Sequence, residues 1–239
     1  RDVAPSRGLG DVYKRQGRIF ALLEEKEESA DPAGTIDTVT GNVTIDNVAF
    51  SYDKEKKLIE NFNLDVQPGM RVAIVGPTGC GKTTFINLLM RFYDVDAGKV
   101  CIDGKPIDKL SRHALRSCFG MVLQDTWLFK GSIMENIRYG RLDATDEEVI
   151  AAAKAARAHH FIQTLPGGYQ MELNEDASNV SQGQKQLLTI ARAILADNKI
   201  LILDEATSSV DTRTEIEIQK AMDNLMKGRT SFVIAHRLS

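Results

Sequence analysis

One glycine-rich segment has the residue types and the spacing to bind phosphate groups. It fits the pattern G-x-x-x-x-G-K-[ST] and runs through Gly76, Pro77, Thr78, Gly79, Cys80, Gly81, Lys82 and Thr83, with Thr84 next. Glycines let backbone N–H groups curl around phosphate oxygens, and a helix that starts at Lys82 would add its positive N-terminal end. We expect Lys82 to reach the β- and γ-phosphates of a nucleotide and the Thr83 hydroxyl to bind Mg²⁺. Cys80 is interpreted as a small residue of the loop whose backbone N–H faces the phosphates, rather than as a redox switch.

Two adjacent carboxylates form a second candidate site. Asp204 and Glu205 follow the apolar run ILIL at residues 200–203. Ligands of open α/β sheets bind at the carboxyl ends of the strands, so Asp204 would face the same phosphates as Lys82. Asp204 suits the Mg²⁺ shell, through water, and Glu205 could polarise the attacking water as a general base. The phosphate loop disfavours the alternative, two surface acids in a turn.

The hydrophobic pattern predicts the elements that hold these residues. Residues 71–75 predict a strand buried on both faces, and a helix is expected from Lys82 to about Phe92. Short alternating runs between residues 41 and 66 predict a small antiparallel sheet with one wet face. Helical spacing dominates residues 131–196, with one face at Val149, Ile150, Ala153 and Arg157 and another at Leu187, Leu188, Ala191, Ile194 and Leu195. A buried strand at residues 200–203, a helix at 216–226 and a strand at 230–235 complete an α/β fold.

Composition excludes several classes of protein. The chain has 239 residues, 43% hydrophobic and 26% charged, and a net charge of −3, which is globular rather than disordered. It contains no run of about 18 apolar residues and no long basic run, which disfavours a membrane span and a nucleic-acid partner. Three scattered cysteines are too few for a disulfide framework or a Cys-rich zinc site, which favours a reducing compartment.

A further motif lies between the two candidate sites and indicates a family. Residues 179–186 read NVSQGQKQ, which resembles the L-S-G-G-Q signature of ATP-binding cassette (ABC) proteins. Ser181, Gly183 and Gln184 fit the signature, whereas Val180 replaces its Leu and Gln182 its first Gly. From residue 17 to 239 the sequence resembles the nucleotide-binding domain of an exporter-type ABC transporter. The resemblance implies a P-loop NTPase (RecA-like) core with an antiparallel β flank and an inserted helical subdomain at about 131–196.

The resemblance also implies a role for each remaining site residue. Tyr52 matches the aromatic residue that stacks on adenine, Gln124 the glutamine that touches Mg²⁺ and water, and His236 the histidine that senses the γ-phosphate. Asp211 falls in the D-loop, which crosses the interface of a head-to-tail pair of domains. The implied catalytic residues are Lys82, Gln124, Glu205 and His236, and the implied metal-binding residues are Thr83, Gln124 and Asp204. In this family Ser181, Gln182, Gly183 and Gln184 would act on the ATP that the partner domain binds.

The expected organisation has three parts. Residues 1–16, RDVAPSRGLGDVYKRQ, resemble sequencing-adaptor read-through and are expected to be a non-native artefact, with a disordered basic arm as the alternative. Residues 17–40 are expected to link to a missing transmembrane domain, and residues 41–239 to form an ATPase domain truncated at its C-terminus. The resemblance implies Mg²⁺ with ATP, the cytoplasmic face of the inner membrane, and a second domain as partner, in a homodimer or a heterodimer. A non-transport ABC ATPase, an importer-type subunit and a non-hydrolysing regulatory subunit are the alternatives.

Overall fold

The computed structural model describes residues 16–17, 19–25, 27–77, 79–123, 125–205 and 210–235, without the side chains of Glu205 and Ala235. It divides into two compact units, Arg1–Asp31 and Pro32–Ser239. In the first unit residues 16–17 and 19–23 are helical, and the side chains of Ile19, Phe20, Leu22 and Leu23 are exposed. The prediction that residues 1–16 are an artefact falls outside the described residues, apart from residue 16.

The second unit contains both strands and helices. Its strands are β1 (Val43–Phe50), β2 (Ile59–Val66), β3 (Arg71–Ile74), β4 (Ala97–Ile102), β5 (Lys105–Pro106), β6 (Phe119–Val122), β7 (Gly131–Ser132), β8 (Glu172–Leu173), β9 (Ile200–Glu205) and β10 (Thr230–Ala235). Its α-helices are α1 (Lys82–Leu89), α2 (Arg112–Arg116), α3 (Ile133–Arg138), α4 (Asp146–Ala155), α5 (His159–Thr164), α6 (Gln182–Ala196) and α7 (Thr212–Met226). Within the described ranges, none of these helices has the length and apolar character needed to cross a membrane.

A parallel sheet carries the candidate site. Its strand order is β3-β10-β9-β6, and β10 pairs in parallel with both β3 and β9. Residues 200–203 of β9 are fully buried, because neighbouring strands pair with both of its edges and helices cover its faces. This confirms the parallel α/β core that the sequence predicts.

The strand ahead of the glycine-rich loop is less buried than predicted. Residues of β3 alternate between exposed and half-buried, and Val75 is 50% exposed. Among the described strands, β3 pairs with β10 on one side and lies at the edge of the sheet. The prediction of a strand buried on both faces is therefore wrong, since an apolar run does not reveal whether its strand is central or at an edge.

The predicted antiparallel sheet is present and packs against the parallel sheet through α1. Its strand order is β2-β1-β4-β5, with antiparallel pairing throughout. On α1, the Phe85 ring lies 5.8 Å from the ring of Phe62 in β2 and 5.7 Å from that of Phe232 in β10. Because Phe85 contacts both sheets one turn into the helix, it fixes the position of the N-terminus of α1 and of the loop before it.

Residues 131–196 are mostly helical, as predicted, and add the short pair β7-β8. Val149 and Ala153 of α4 are buried, but α4 ends at Ala155. Arg157 lies beyond that end with a φ of 57° and an exposed side chain, so its predicted place on the same helical face is wrong. The helix predicted at 216–226 begins earlier, at Thr212, because Asp211 caps it.

Candidate nucleotide-binding site

The glycine-rich loop joins β3 to α1 and takes a conformation that requires its glycines. Gly76, Gly79 and Gly81 have φ values of 153°, 85° and 94°, in the region that side chains disfavour. A Cβ on Gly76 would also lie 2.5 Å from the Cys80 sulfur. The Cys80 N–H donates to the Pro77 carbonyl at 3.3 Å and closes the turn. Thr78, also predicted to bind ATP, lies outside the described residues.

Lys82 folds back over this loop at the start of α1. Its ammonium group donates hydrogen bonds to the Gly76 carbonyl at 2.6 Å and the Pro77 carbonyl at 3.0 Å. Thr83 is exposed in the first turn, where the N–H groups of α1 have no partner within the helix. The positive charge, the Thr83 hydroxyl and the helix N-terminus therefore lie together, as an anion-binding site requires.

Tyr52 lies beside the start of α1 in an aromatic cluster. Its ring meets Phe50 edge-on at 5.0 Å and Tyr93 at 5.1 Å, and the side chain is 56% exposed. The Tyr52 hydroxyl donates to the Thr84 hydroxyl oxygen at 3.2 Å, and Thr84 itself is buried. Tyr52 thus presents aromatic surface close to the loop, while Thr84 helps to hold it there.

The carboxyl ends of three strands meet at the edge that carries the loop. Ile74 of β3 is paired with Ile234 of β10, which is paired with Asp204 of β9. The half-buried Asp204 therefore lies at the same edge as the loop, as predicted. Gln124, His236 and the Glu205 side chain lie outside the described residues, so their predicted roles remain predictions.

The residues at this edge fit a magnesium ion that accompanies a nucleotide. The Thr83 hydroxyl and the Asp204 carboxylate are oxygen ligands, which Mg²⁺ prefers. No group of three or more His, Cys, Asp or Glu residues in the described ranges could hold a metal ion by itself. A magnesium ion here would take its remaining ligands from nucleotide phosphates and water.

The signature residues form the N-terminus of α6. Ser181 is the N-cap: its hydroxyl oxygen accepts from the Gln184 N–H at 3.2 Å, and its own N–H donates to the Gln184 side-chain oxygen at 2.9 Å. In this capping box the Ser181 hydroxyl still has its proton to donate. The pattern S-x-x-Q ahead of an apolar helix is the sequence signal that indicates this box.

Gly183 allows two helices to approach closely. The residue is buried, and a Cβ at this position would lie 2.4 Å from the Thr214 methyl carbon and 3.0 Å from a Val210 methyl carbon. Next to it, the Gln182 side-chain amide donates to the Thr126 hydroxyl oxygen at 3.2 Å. The signature is therefore held by contacts within its own chain on both sides of α6.

Asp211, predicted in the D-loop, is the N-cap of α7. One of its carboxylate oxygens accepts from the Thr214 N–H at 3.0 Å. Hydrogen bonds from the side chain and the backbone of Thr214 lower the pKa of the Asp211 carboxyl group below its usual value. The negative charge also suits the positive N-terminus of α7.

The glycine-rich loop and the signature line different clefts of the second unit. A cleft of about 520 Å³ includes Gly81 and Lys82 and is walled by apolar residues of β2 and β3. A second cleft of about 760 Å³ includes Ser181 and Gln184, with basic residues at Lys154, His160 and Arg213. These two clefts share no lining residue. Among the described residues, the two predicted groups therefore line separate clefts.

Comparison with known proteins gives one consistent result. Residues 59–208 match a family model described as ABC transporter. The chain is 54% identical over 222 residues to a fatty acid ABC transporter ATP-binding/permease protein of Mycobacterium tuberculosis, covering 93% of this chain and 35% of that protein. It is 48% identical to an ATP-dependent lipid A-core flippase of Desulfotalea psychrophila, covering 93% of this chain and 39% of that protein.

A solved structure gives the same result for the fold. The structure of a bacterial Atm1-family ABC exporter with ATP bound superposes with a TM-score of 0.76 at 42% identity, over 96% of this chain and 42% of that one. The parallel core sheet, antiparallel sheet and helical region thus form the fold predicted from the sequence. The chain spans less than half the length of the relatives described here.

Proposed function

This chain belongs to the ABC transporter family and corresponds to the ATPase domain of such a transporter, and we propose that it binds and hydrolyses ATP in a head-to-tail pair. The pair would drive export. The observation that carries this proposal is that the glycine-rich loop lines one cleft, whereas Ser181 and Gln184 line another. In the proposed pair, a second domain supplies the signature that meets a nucleotide bound at Lys82. The pair has two such sites, because each domain presents its signature to the glycine-rich loop of the other.

On its own nucleotide, the chain supplies binding groups and a base. Lys82 and the N–H groups of the loop bind the β- and γ-phosphates, and Tyr52 stacks on the adenine ring. Glu205 accepts a proton from the water whose oxygen attacks the γ-phosphorus, and the bond to the ADP oxygen breaks. Thr83, Gln124 and, through water, Asp204 would hold Mg²⁺, which neutralises phosphate charge. His236 contacts the γ-phosphate.

On the partner's nucleotide, the chain supplies the N-terminus of α6. The Ser181 hydroxyl donates its remaining proton to the γ-phosphate, and the Gly183 N–H and the helix dipole add positive potential. Asp211 and the residues before it lie at the interface of the pair. Closure excludes water from both sites, so ATP binding drives association and hydrolysis reverses it. The partner is a second copy or a similar domain.

The remaining parts of the proposal concern the whole transporter. The mycobacterial relatives, fatty acid ABC transporter ATP-binding/permease proteins, combine an ATP-binding part and a permease part in one protein. We infer that residues 17–40 link this domain to such a permease part, which selects the exported compound. The domain then lies at the cytoplasmic face of the inner membrane, where ATP is present.

ATP hydrolysis by the purified chain with Mg²⁺ tests the catalytic assignment. We expect Glu205→Gln to keep ATP binding and to lower turnover by about 100-fold or more, because a general base contributes that much. Lys82→Ala should lose ATP binding as well. Lys99→Ala, which removes an exposed lysine paired with Asp46, is the control and should keep the wild-type rate. Wild-type turnover by Glu205→Gln would refute the role of Glu205.

A further inference from the structure

Gln182, which occupies a glycine position of the family signature, is bound within its own chain. Its side-chain amide donates to the hydroxyl of Thr126 at 3.2 Å. Thr126 is half-buried and lies in the segment between β6 and α3, two positions after Gln124. This hydrogen bond therefore joins the signature of α6 directly to the segment that follows a predicted catalytic residue.

The same helix holds that segment at a second point. Arg192 donates to the Asn136 carbonyl at 2.9 Å, the Asn136 side-chain oxygen at 3.2 Å and the Trp127 carbonyl at 3.1 Å. Its guanidinium group also lies 5.3 Å from the centre of the Tyr139 ring. Asn136 is buried and bonds both the N–H and the carbonyl of Phe129. Residues 126–136 are thus fastened to α6 through Arg192 as well as through Gln182.

The two attachment points have different strengths. The Arg192 bonds are charge-assisted; the two to Asn136 are partly buried and the one to Trp127 is exposed. The Gln182–Thr126 bond is neutral and exposed, so it contributes little to global stability. Gln182 lies about 15 Å from Arg192 along α6, because an α-helix rises about 1.5 Å per residue. The N-terminus of α6 also packs on α7 at Gly183, and the Gln182–Thr126 bond attaches it to the segment on its other side.

We propose that Gln182 is a positioning residue that, through Thr126, holds the Ser181 hydroxyl in the orientation needed for the partner's nucleotide. This proposal rests on the proposed function, in which Ser181 acts on that nucleotide. The Gln182 side chain acts through its own chain and does not itself bind the nucleotide.

Amide hydrogen exchange of the 239-residue chain tests the hydrogen bond by itself. Thr126→Val and Gln182→Met each remove one partner with little change in side-chain volume or helix propensity. We expect each to raise exchange at residues 184–188 by about threefold to tenfold, the range for loss of one neutral hydrogen bond. The double variant should show no further increase, because both changes remove the same bond. Thr126→Ser keeps the hydroxyl and should exchange like the wild type.

ATP-dependent association in a Glu205→Gln background tests the positioning role. The same variants should raise the dissociation constant of the pair by about threefold to tenfold. The affinity of the unpaired chain for ATP should not change. A general loss of structure would instead weaken ATP binding as well. Thr126→Ser should restore association.

Unchanged exchange, or effects of the single variants that multiply in the double variant, would overturn the proposal whether or not the chain associates. Altered exchange with unaltered association would also overturn the positioning role. If exchange responds but the Glu205→Gln chain never associates with ATP, the head-to-tail function fails, and with it the role of Gln182 toward a partner's nucleotide.

Discussion

Gly183→Ala tests whether close helix packing, and not only nucleotide contact, requires glycine in the signature. The new Cβ would lie 2.4 Å from the Thr214 methyl carbon and 3.0 Å from a Val210 methyl carbon. Neither contact can be accommodated without a shift, because both atoms belong to branched side chains at the start of α7 and just before it. The N-termini of α6 and α7 must therefore move apart.

Two opposing effects set the magnitude. Alanine in place of a helical glycine stabilises a helix by about 1 kcal/mol, whereas overpacking in a filled site costs about 1–3 kcal/mol. A contact at 2.4 Å is severe, so the second effect dominates. We expect a net loss of about 1 kcal/mol in the free energy of unfolding.

Urea denaturation of four chains measures this effect: the wild type, Gly183→Ala, Thr214→Ser and the double variant. Thr214→Ser removes the obstructing methyl group and keeps the backbone N–H at position 214, which donates a hydrogen bond to the Asp211 carboxylate. The double variant should therefore regain most of the lost stability, through a coupling of about 1 kcal/mol. If Gly183→Ala alone is as stable as the wild type, or if Thr214→Ser brings no recovery, the packing argument is refuted.

Further predictions concern three other site residues. Tyr52→Ala should weaken ATP binding about tenfold, as loss of base stacking does, while Tyr52→Phe stays close to the wild type; nucleotide titration distinguishes them. Ser181→Ala should lower the free energy of unfolding by about 1 kcal/mol through loss of the N-cap, and Ser181→Thr should not. The folded pKa of Asp211 is lowered, so its charge stabilises the fold above the unfolded pKa of about 4, and this is lost as pH falls further. The stability difference between the wild type and Asp211→Asn should therefore shrink on acidification from about pH 5 to 3, and a constant difference would contradict this.

The fold was predictable where local pattern and burial agree. The run ILIL at 200–203 lies in the centre of the parallel sheet, so an unbroken apolar pattern predicted it correctly. The similar run at 71–75 belongs to an edge strand, where residues alternate between exposed and half-buried. The difference depends on neighbouring strands that are distant in sequence, and local pattern contains no information about them.

The site was predictable to a different degree at each residue. The motif predicts a strand, a loop and a helix around Lys82, and the structure has a strand before the loop and a helix that begins at Lys82. The Ser181–Gln184 capping box could also have been predicted, because S-x-x-Q before an apolar helix signals it. Neither the close approach at Gly183 nor the bond from Gln182 to Thr126 was visible, because each needs the position of another element.

Complementation between two inactive chains tests most directly whether ATP is shared between two domains. Lys82→Ala removes nucleotide binding, and Ser181→Asp keeps an N-cap but places a carboxylate against the partner's γ-phosphate. Each chain alone should be inactive. An equimolar mixture should recover activity, up to about a quarter of the wild-type rate, the value for random pairing in which half of the pairs are mixed and each has one intact site of two. A mixture no more active than its two components would contradict the head-to-tail site.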